Sequence, residues 1–524
     1  MMPGICAPAG GATLPESARI EEKTMSGHPS WDVVVAGAGN AALCAACAAR
    51  QEGARVLVLE KAPRELRGGN TRFTTGAMRF AYSSPEGVLA LIPDLSPGER
   101  ANVEVQPYGQ DEFYNDLMRV TEGLADPDLS QLLVAESYPV IRWMTELGVR
   151  WELGAFQRAV QSGHRARFHA MIQSKGAGPG LSDQEFGIAE GLGVEIWYDA
   201  KLVGLVQDPA SGRVVGVRVR RPDGISTLGA GAIVLGTGGF EANRELRVRY
   251  MGPKWDEVKV RGSRFDTGEG LMMALELGAQ SIGQWSGAHS TPIAAESPDH
   301  GSLRLTDLTR RASYVYGLMV NEDAERFADE GEDFWPYTYA KMGSVVQGQP
   351  HRAAFQIFDQ KGLPWIERAY YATSTPAEGD TIAELAEKLG LDPAKLSRTV
   401  DEFNRSIDPG AQANPWIRDG LATRGLEPAK SNWATRIDQP PYVGYPVTGG
   451  ITFTFGGVKI DRRARVIDTE ELPIAGLYAA GELTGGFFHF NYPGASGLTR
   501  GSVTGRIAGA NAAREALGKP PWTS

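Results

Sequence analysis

Cysteine is almost absent. The 524 residues hold three, Cys6, Cys44 and Cys47. That excludes a disulfide framework and suits a reducing compartment, so a cytoplasmic protein is expected. Cys44 and Cys47 form a C-x-x-C pair inside an alanine-rich run. Small residues there pack a helix against a sheet, whereas a redox pair needs a more exposed setting. No stretch approaches the ~18 apolar residues of a membrane span. Residues 1–30, rich in Pro, Gly, Ala and charge, lack an apolar run of signal-peptide length. They read as a flexible tail, with Met25 as an alternative start. Positive charge is in deficit: 53 Lys and Arg against 63 Asp and Glu leave a net charge of −10 and a pI near 5.4. This argues against a nucleic-acid partner but allows a locally basic pocket. The seven histidines show no metal-ligand spacing with cysteines or carboxylates, so no metal is expected. Walker loop and nucleophile elbow are missing too.

What is present begins at Trp31. WDVVVAGAGNAALCAACAARQEGARVLVLE reads as strand, glycine turn, helix, strand. The apolar run Val33–Ala36 suits a buried parallel strand. Gly37 and Gly39 make the turn, with Ala42 in the third glycine's place. Backbone N–H groups of such a turn approach a pyrophosphate at a helix N-terminus. Glu60, about 20 residues on, is placed for ribose hydroxyls. A polar loop with Gly69, Asn70, Thr71, Thr74 and Thr75 follows, as if wrapping a cofactor. The theme recurs. Lys201–Gln207 and Val214–Arg220 form a hairpin, and the apolar strand Ala232–Leu235 runs into GTGGFEAN. Gly268-Glu269-Gly270 opens a helix. Gly476–Glu482 is a strand ending in glycine and an acid, and glycine-rich 494–505 flows into a last helix, Arg506–Leu517. Glycine clusters after strands at both ends of the chain point to one elongated dinucleotide, FAD rather than NAD.

The length exceeds one core. Residues 30–285 and 436–520 read as a discontinuous FAD-binding domain. Residues 286–435 are less regular and aromatic-rich. They hold a capping box at Thr381–Glu384 and a helix start at Asp392-Pro393, and read as a capping or substrate domain. The expected fold is α/β, a Rossmann-type, glutathione-reductase-like FAD lobe with an inserted α+β lobe.

Together these motifs resemble the fumarate reductase/succinate dehydrogenase flavoprotein superfamily, from Trp31 to Leu517. Within it, LEKAPRELRGGNTRFTTGAMRFA, RFADEGEDF, YTYAK, GITFTFGGVKID and NYPGASGLTRG are similar to signatures of FAD-dependent tricarballylate dehydrogenases. The resemblance implies that Gly37, Gly39 and Ala42 line the pyrophosphate and that Glu60 holds the adenosine ribose. It sets Asn70, Thr71, Thr75 and Gly76 along the flavin and the Leu202 backbone at the adenine. Thr237 and Gly238 would approach the dinucleotide, while Glu269 and Glu482 reach the flavin end and ribityl chain. Gly497 and Leu498 N–H groups would face the pyrimidine edge. Asn40, Ala41, Lys61 and Gly69 complete the cofactor-binding set. The histidine that carries FAD covalently in succinate dehydrogenases, near Asn70-Thr71, is missing, so FAD is expected to be non-covalent.

The chain departs from the fumarate pattern at the chemistry. The proton-transfer arginine expected after Arg326-Phe327-Ala328-Asp329-Glu330 falls on Phe334 or Trp335. The Glu-x-x-Arg proton path falls on Arg310 and Ser313, and a substrate-clamping arginine falls on Tyr492. Arg310 and Arg311 offer a substitute carboxylate clamp. Ketosteroid dehydrogenases, which share this fold, carry a tyrosine as acid/base. They also carry a Tyr-Pro-Gly motif whose tyrosine O–H and an N–H four residues on bind the ketone, a pattern that Tyr492–Ser496 fits. Tyr337 or Tyr339 could then replace the arginine, Tyr337 being preferred, with Lys341 or Arg310 as its cation. His289, in GAHSTP, resembles the family's substrate histidine, and His489, in FFHFNYPG, stands near the expected flavin edge.

The reaction so implied is dehydrogenation of a CH–CH bond next to a carboxylate or carbonyl, or its reverse. A tricarballylate-like polycarboxylate is the first choice of substrate, and a cyclic ketone or keto acid the alternative. A non-catalytic electron carrier is a further alternative. Electrons would leave to oxygen, a quinone or a separate redox protein.

Overall fold

The structure, a computed structural model, describes residues 31–153 and 166–523; Cys6, Met25 and the tail lie outside this range. Trp31–Ala36 is the centre of the main sheet, with Val33, Val34 and Val35 fully buried. It pairs in parallel with Val56–Leu59 on one side and Gly224–Leu235 on the other. The sheet runs Arg465–Ile467, Pro473–Ala479, Gly224–Leu235, Trp31–Ala36, Val56–Leu59, Glu195–Trp197. Chain sections more than 400 residues apart thus meet at the strand ends that face the glycine turns. The hairpin Lys201–Gln207 and Val214–Arg221 extends the far end of Gly224–Leu235.

The helix Asn40–Gln51 begins at Gly39 and lies against the last helix, Ser496–Ala516. Their contact is built from absent side chains. A Cβ on Gly505 would collide with the Ala41 carbonyl, and one on Gly509 with the Ala45 backbone. Cys44 and Cys47 are buried in this seam with free thiols. Burial pushes both thiols up, Cys47 to about 12, with a further push from Glu185. Gly509→Val is expected to force the helices apart and cost about 1–3 kcal/mol. A denaturant midpoint equal to that of the parent chain would contradict this packing.

A second sheet is organised on the long strand Tyr442–Thr454. It pairs with Lys259–Val260, Ala288–Ala294, Ala353–Phe358 and Ala377–Gly379, while Leu318–Val320 pairs with Ala353–Phe358. This sheet draws strands from both sides of residues 285 and 435. Helices Ile382–Leu389 and Pro393–Arg405, capped by the Thr381 and Asp392 side chains, cover it with Leu385, Leu396, Val400 and Phe403. Among the described residues no helix is long and apolar enough to cross a membrane.

Candidate active site

An elongated cavity runs between the two sheets, from the Gly37 turn to the aromatic cluster around His289. At its first end Gly37 adopts φ +97°, and a Cβ there would collide with the Gly236 backbone. Gly39, Asn40 and Ala41 form the wall beside it. The Asn40 N–H donates to Thr71 Oγ1 (3.0 Å), and its side-chain amide donates to the Leu498 carbonyl (2.9 Å). The two ends of the chain are thereby tied at one point. Glu60 is buried at the end of its strand, accepts from the Ala62 N–H (2.8 Å), and burial raises its pKa. Leu202, Thr237 and Gly238 line the same stretch, and Thr237 Oγ1 is buried without a partner.

Glu269 lies at this nucleotide end, beside Lys61 (2.9 Å) and Lys201 (2.6 Å), instead of at the flavin end expected for it. Burial raises its pKa, but hydrogen bonds from Lys201, Thr267 and Lys61 outweigh that and hold it at about 2. A depressed carboxylate stabilises the fold above its unfolded pKa, and that gain is lost as pH falls through the folded one. The stability difference between the parent chain and Glu269→Gln is therefore expected to be full at neutral pH. It should shrink from about pH 4.5 towards 2. A difference that persists undiminished at pH 2 would contradict this.

Towards the other end, Gly69, Asn70, Thr71 and Thr75 sit on or just after the 3-10 turn Gly69–Phe73. The Asn70 amide donates to Glu241 (2.6 Å) and to the Thr452 carbonyl (2.9 Å), and accepts from the Ser263 N–H (2.8 Å). Gly497 and Leu498 line the cavity from the first turn of the last helix, and Glu482 accepts from the Thr454 N–H (2.8 Å). Sequence spacing did not reveal that Glu241, Asp266 and Glu482 converge, with carboxylate oxygens within 4.8 Å of one another. Burial and mutual repulsion raise Asp266 to about 8 and push Glu241 up as well. Ala42 and Gly76 lie behind the lining: Ala42 packs on Gly236, and Gly76 faces Ser174 and Ala177. The turn without Cβ atoms, the buried acid at Glu60 and the orphaned Thr237 hydroxyl fit an extended dinucleotide.

The far end is aromatic and polar. His289 lies on Ala288–Ala294 opposite Phe453, stacks on that ring (5.1 Å) and meets Tyr339 (4.9 Å) and Tyr492 (5.0 Å) edge-on. It is 1% exposed and neither ring nitrogen has a partner. Burial, then Arg261 and Arg310, lower its pKa well below the usual value, so the ring is neutral. Tyr339 starts the helix Tyr339–Gln347, which lies tight on the His289 strand because Gly343 has no Cβ to strike Ser290. Its hydroxyl is hydrogen-bonded to that of Tyr492. Burial raises both pKa values, keeping the pair protonated.

Several sequence expectations need correction here. Tyr337 does not line the cavity. It belongs to the turn Trp335–Tyr337, and its hydroxyl donates to Asp116 (2.7 Å) and accepts from Arg79 (3.1 Å). Arg79 also donates to the Gly494 carbonyl (2.8 Å), so this cluster supports the Tyr492 loop from behind. His489 is outside the cavity, with its ring on Phe490. Lys341 pairs with Glu332 (2.7 Å), away from either tyrosine hydroxyl. The Ser496 N–H, four residues after Tyr492, donates to the Pro493 carbonyl (3.2 Å). Arg310 does line the cavity, but Glu367 takes both terminal nitrogens (2.9 and 3.1 Å), and its guanidinium stacks on Trp335 and Tyr370. Arg311 is buried on backbone carbonyls and Thr373, so the two do not form a free clamp. Two lining arginines were not singled out in sequence. Arg261 pairs with Asp307, leaving Nε without a partner, and Arg500 is taken up below. Arg261 stands in no recognisable motif, and Arg500 stands inside NYPGASGLTRG, where its cation among glycines was the available signal.

Fold and site define a flavin-dependent oxidoreductase. The family model described as FAD binding domain matches residues 32–498. The chain belongs to that family and is an FAD-dependent oxidoreductase of the fumarate reductase kind, acting on CH–CH bonds. It is 30% identical over 506 residues to the probable fumarate reductase Ifc3 of Shewanella frigidimarina, covering 95% of this chain and 78% of that one. It is 29% identical to a urocanate reductase of Eggerthella lenta, covering 92% and 74%. To a 4-oxocyclohexanecarboxylate 2-dehydrogenase of Sinomonas cyclohexanicum it is 26% identical, covering 93% and 94%. The open flavocytochrome c3 fumarate reductase superposes with a TM-score of 0.70 at 28% identity, covering 93% and 79%. A Rhodococcus jostii 3-ketosteroid dehydrogenase shares the fold at 0.67 and 22%, covering 94% and 98%.

Proposed function

We propose that the enzyme desaturates a cyclic keto acid next to its ketone, or reduces the corresponding enone, and that tricarballylate is not its substrate. The observation that carries this reading is the Tyr339–Tyr492 hydroxyl pair beside an unpartnered neutral His289, in a cavity whose substrate-side arginines already have carboxylate partners. Asp307 takes Arg261 and Glu367 takes Arg310. Among the described lining residues Arg500 alone is a cation without a carboxylate partner, so three substrate carboxylates would outnumber the free charge, and burying them unpaired is costly. A ketone needs a hydroxyl donor where enolate charge develops, which Tyr492 supplies. One carboxylate is accommodated at the free Arg261 Nε and the His289 ring.

FAD, held by the glycine turn and the first turn of the last helix, would supply the hydride chemistry at the carbon β to the ketone. The chain's own groups handle the proton. Tyr339 stays protonated at neutral pH and can donate to the α-carbon in the reducing direction. In the desaturating direction Tyr339 would accept the α-proton as tyrosinate, having first released its own proton to solvent, with Arg261 and Arg310 stabilising the charged form. Phe453, Trp335 and His289 wall the pocket and limit water. The electron acceptor is a separate molecule: oxygen, a quinone or a redox protein.

Turnover with an artificial dye acceptor tests the reading. 4-Oxocyclohexanecarboxylate is expected to reduce the dye and tricarballylate and succinate to leave it oxidised. Turnover of tricarballylate alone would overturn it.

A further inference from the structure

Among the described residues five cationic side chains line the cavity: Lys61, Lys201, Arg261, Arg310 and Arg500. Lys61 and Lys201 share Glu269, Arg261 has Asp307 and Arg310 has Glu367. Arg500 alone forms no ion pair among the described residues. It is 3% exposed, and its Nε is buried without a hydrogen-bond partner. The guanidinium lies instead over the rings of Phe488 (4.9 Å), Phe453 (5.3 Å) and Phe487 (5.9 Å). A buried charge held only by ring faces is expensive, so the arrangement calls for an anion.

Position identifies that anion. Arg500 is in the same helix turn as Gly497 and Leu498, which line the cavity. Glu482 is the carboxylate whose field it feels, though the two do not pair, and the pull of Glu482 does not prevent burial from lowering Arg500 to about 10. It remains a cation at neutral pH. Helix N–H groups and an unpaired guanidinium therefore converge on the part of the cavity assigned to the pyrimidine half of the flavin.

We infer that Arg500 is the cation that balances the negative charge the flavin gains on two-electron reduction, setting the cofactor's potential and not selecting the substrate. Two electrons and one proton enter the ring system, leaving one negative charge, which Arg500 neutralises without any proton transfer of its own. The inference is independent of which carbonyl compound reacts.

The two main readouts use holoenzyme without substrate, and steady-state kinetics serve as the control. Arg500→Gln is expected to lower the flavin midpoint potential by the equivalent of a hundredfold preference, about 60 mV for a two-electron couple. Sulfite, an anion that adds to oxidised flavin and leaves the pyrimidine half negatively charged, should bleach the variant with about hundredfold weaker affinity. Arg500→Lys, which keeps the charge, should stay near the parent chain in both. A Gln variant with unchanged potential and sulfite affinity would overturn the inference. So would a rise in KM for a carboxylate substrate as the only effect. Should the Gln variant lose FAD, the parent holoenzyme decides: it must bleach with sulfite, and resistance to it would overturn the inference.

Discussion

Tyr492→Phe is expected to lower kcat about 10²–10³-fold, the usual cost of removing one donor aimed at developing oxyanion charge. FAD content and fold should be unchanged. The hydroxyl is hydrogen-bonded to Tyr339 and to the Ala495 backbone, neither of which holds the fold by itself, and phenylalanine fills the same space between His289, Phe453 and Phe488. The loss should fall on kcat more than on KM, since the donor counts most when charge moves onto the ketone oxygen. Tyr339→Phe should lose activity as well. Tyr337→Phe should act through the Arg79–Asp116 cluster and so affect stability first. Equal kcat in Tyr492→Phe and the parent chain, with the ketone as substrate, would remove this tyrosine from the chemistry.

Gly37→Val is expected to abolish FAD binding. The backbone there sits at φ +97°, and a side chain would collide with the Gly236 backbone of the neighbouring strand end. Strain of about 1–3 kcal/mol at such a position adds to blocking the turn that the pyrophosphate must approach. The purified variant should be colourless, with no flavin absorbance after reconstitution. A yellow variant with stoichiometric FAD would contradict the assignment of this turn.

The cofactor half of the molecule was legible because its chemistry is local. Gly37, Gly39 and Glu60 lie within one strand–turn–helix–strand unit, where spacing alone sets geometry. The substrate half was not, because partners there are far apart in sequence. Arg310 looks like a free clamp until Glu367, 57 residues on, is seen to hold it. Tyr337 and Tyr339 differ by two positions across a 3-10 turn and a helix start, and that step sends one hydroxyl to Asp116 and the other to Tyr492. The strand Tyr442–Thr454 starts just past the expected lobe boundary, yet it is the hub of the second sheet. Its alternation and length do not say which partners it will find. Glu241 and Glu482 follow adjacent strands of the main sheet and Asp266 follows Lys259–Val260 of the second, so the three meet only where the two sheets face each other.

The most direct test is the rate at which the flavin bleaches when the oxidised holoenzyme is mixed anaerobically with 4-oxocyclohexanecarboxylate. The substrate would be unlabelled, or deuterated at the carbon β to the ketone or at the α-carbon. Bleaching should occur in one turnover and slow with either label, because hydride and proton leave adjacent carbons beneath Tyr339 and Tyr492. Flavin that stays oxidised with the keto acid, or bleaching indifferent to deuterium at the β-carbon, would contradict the account.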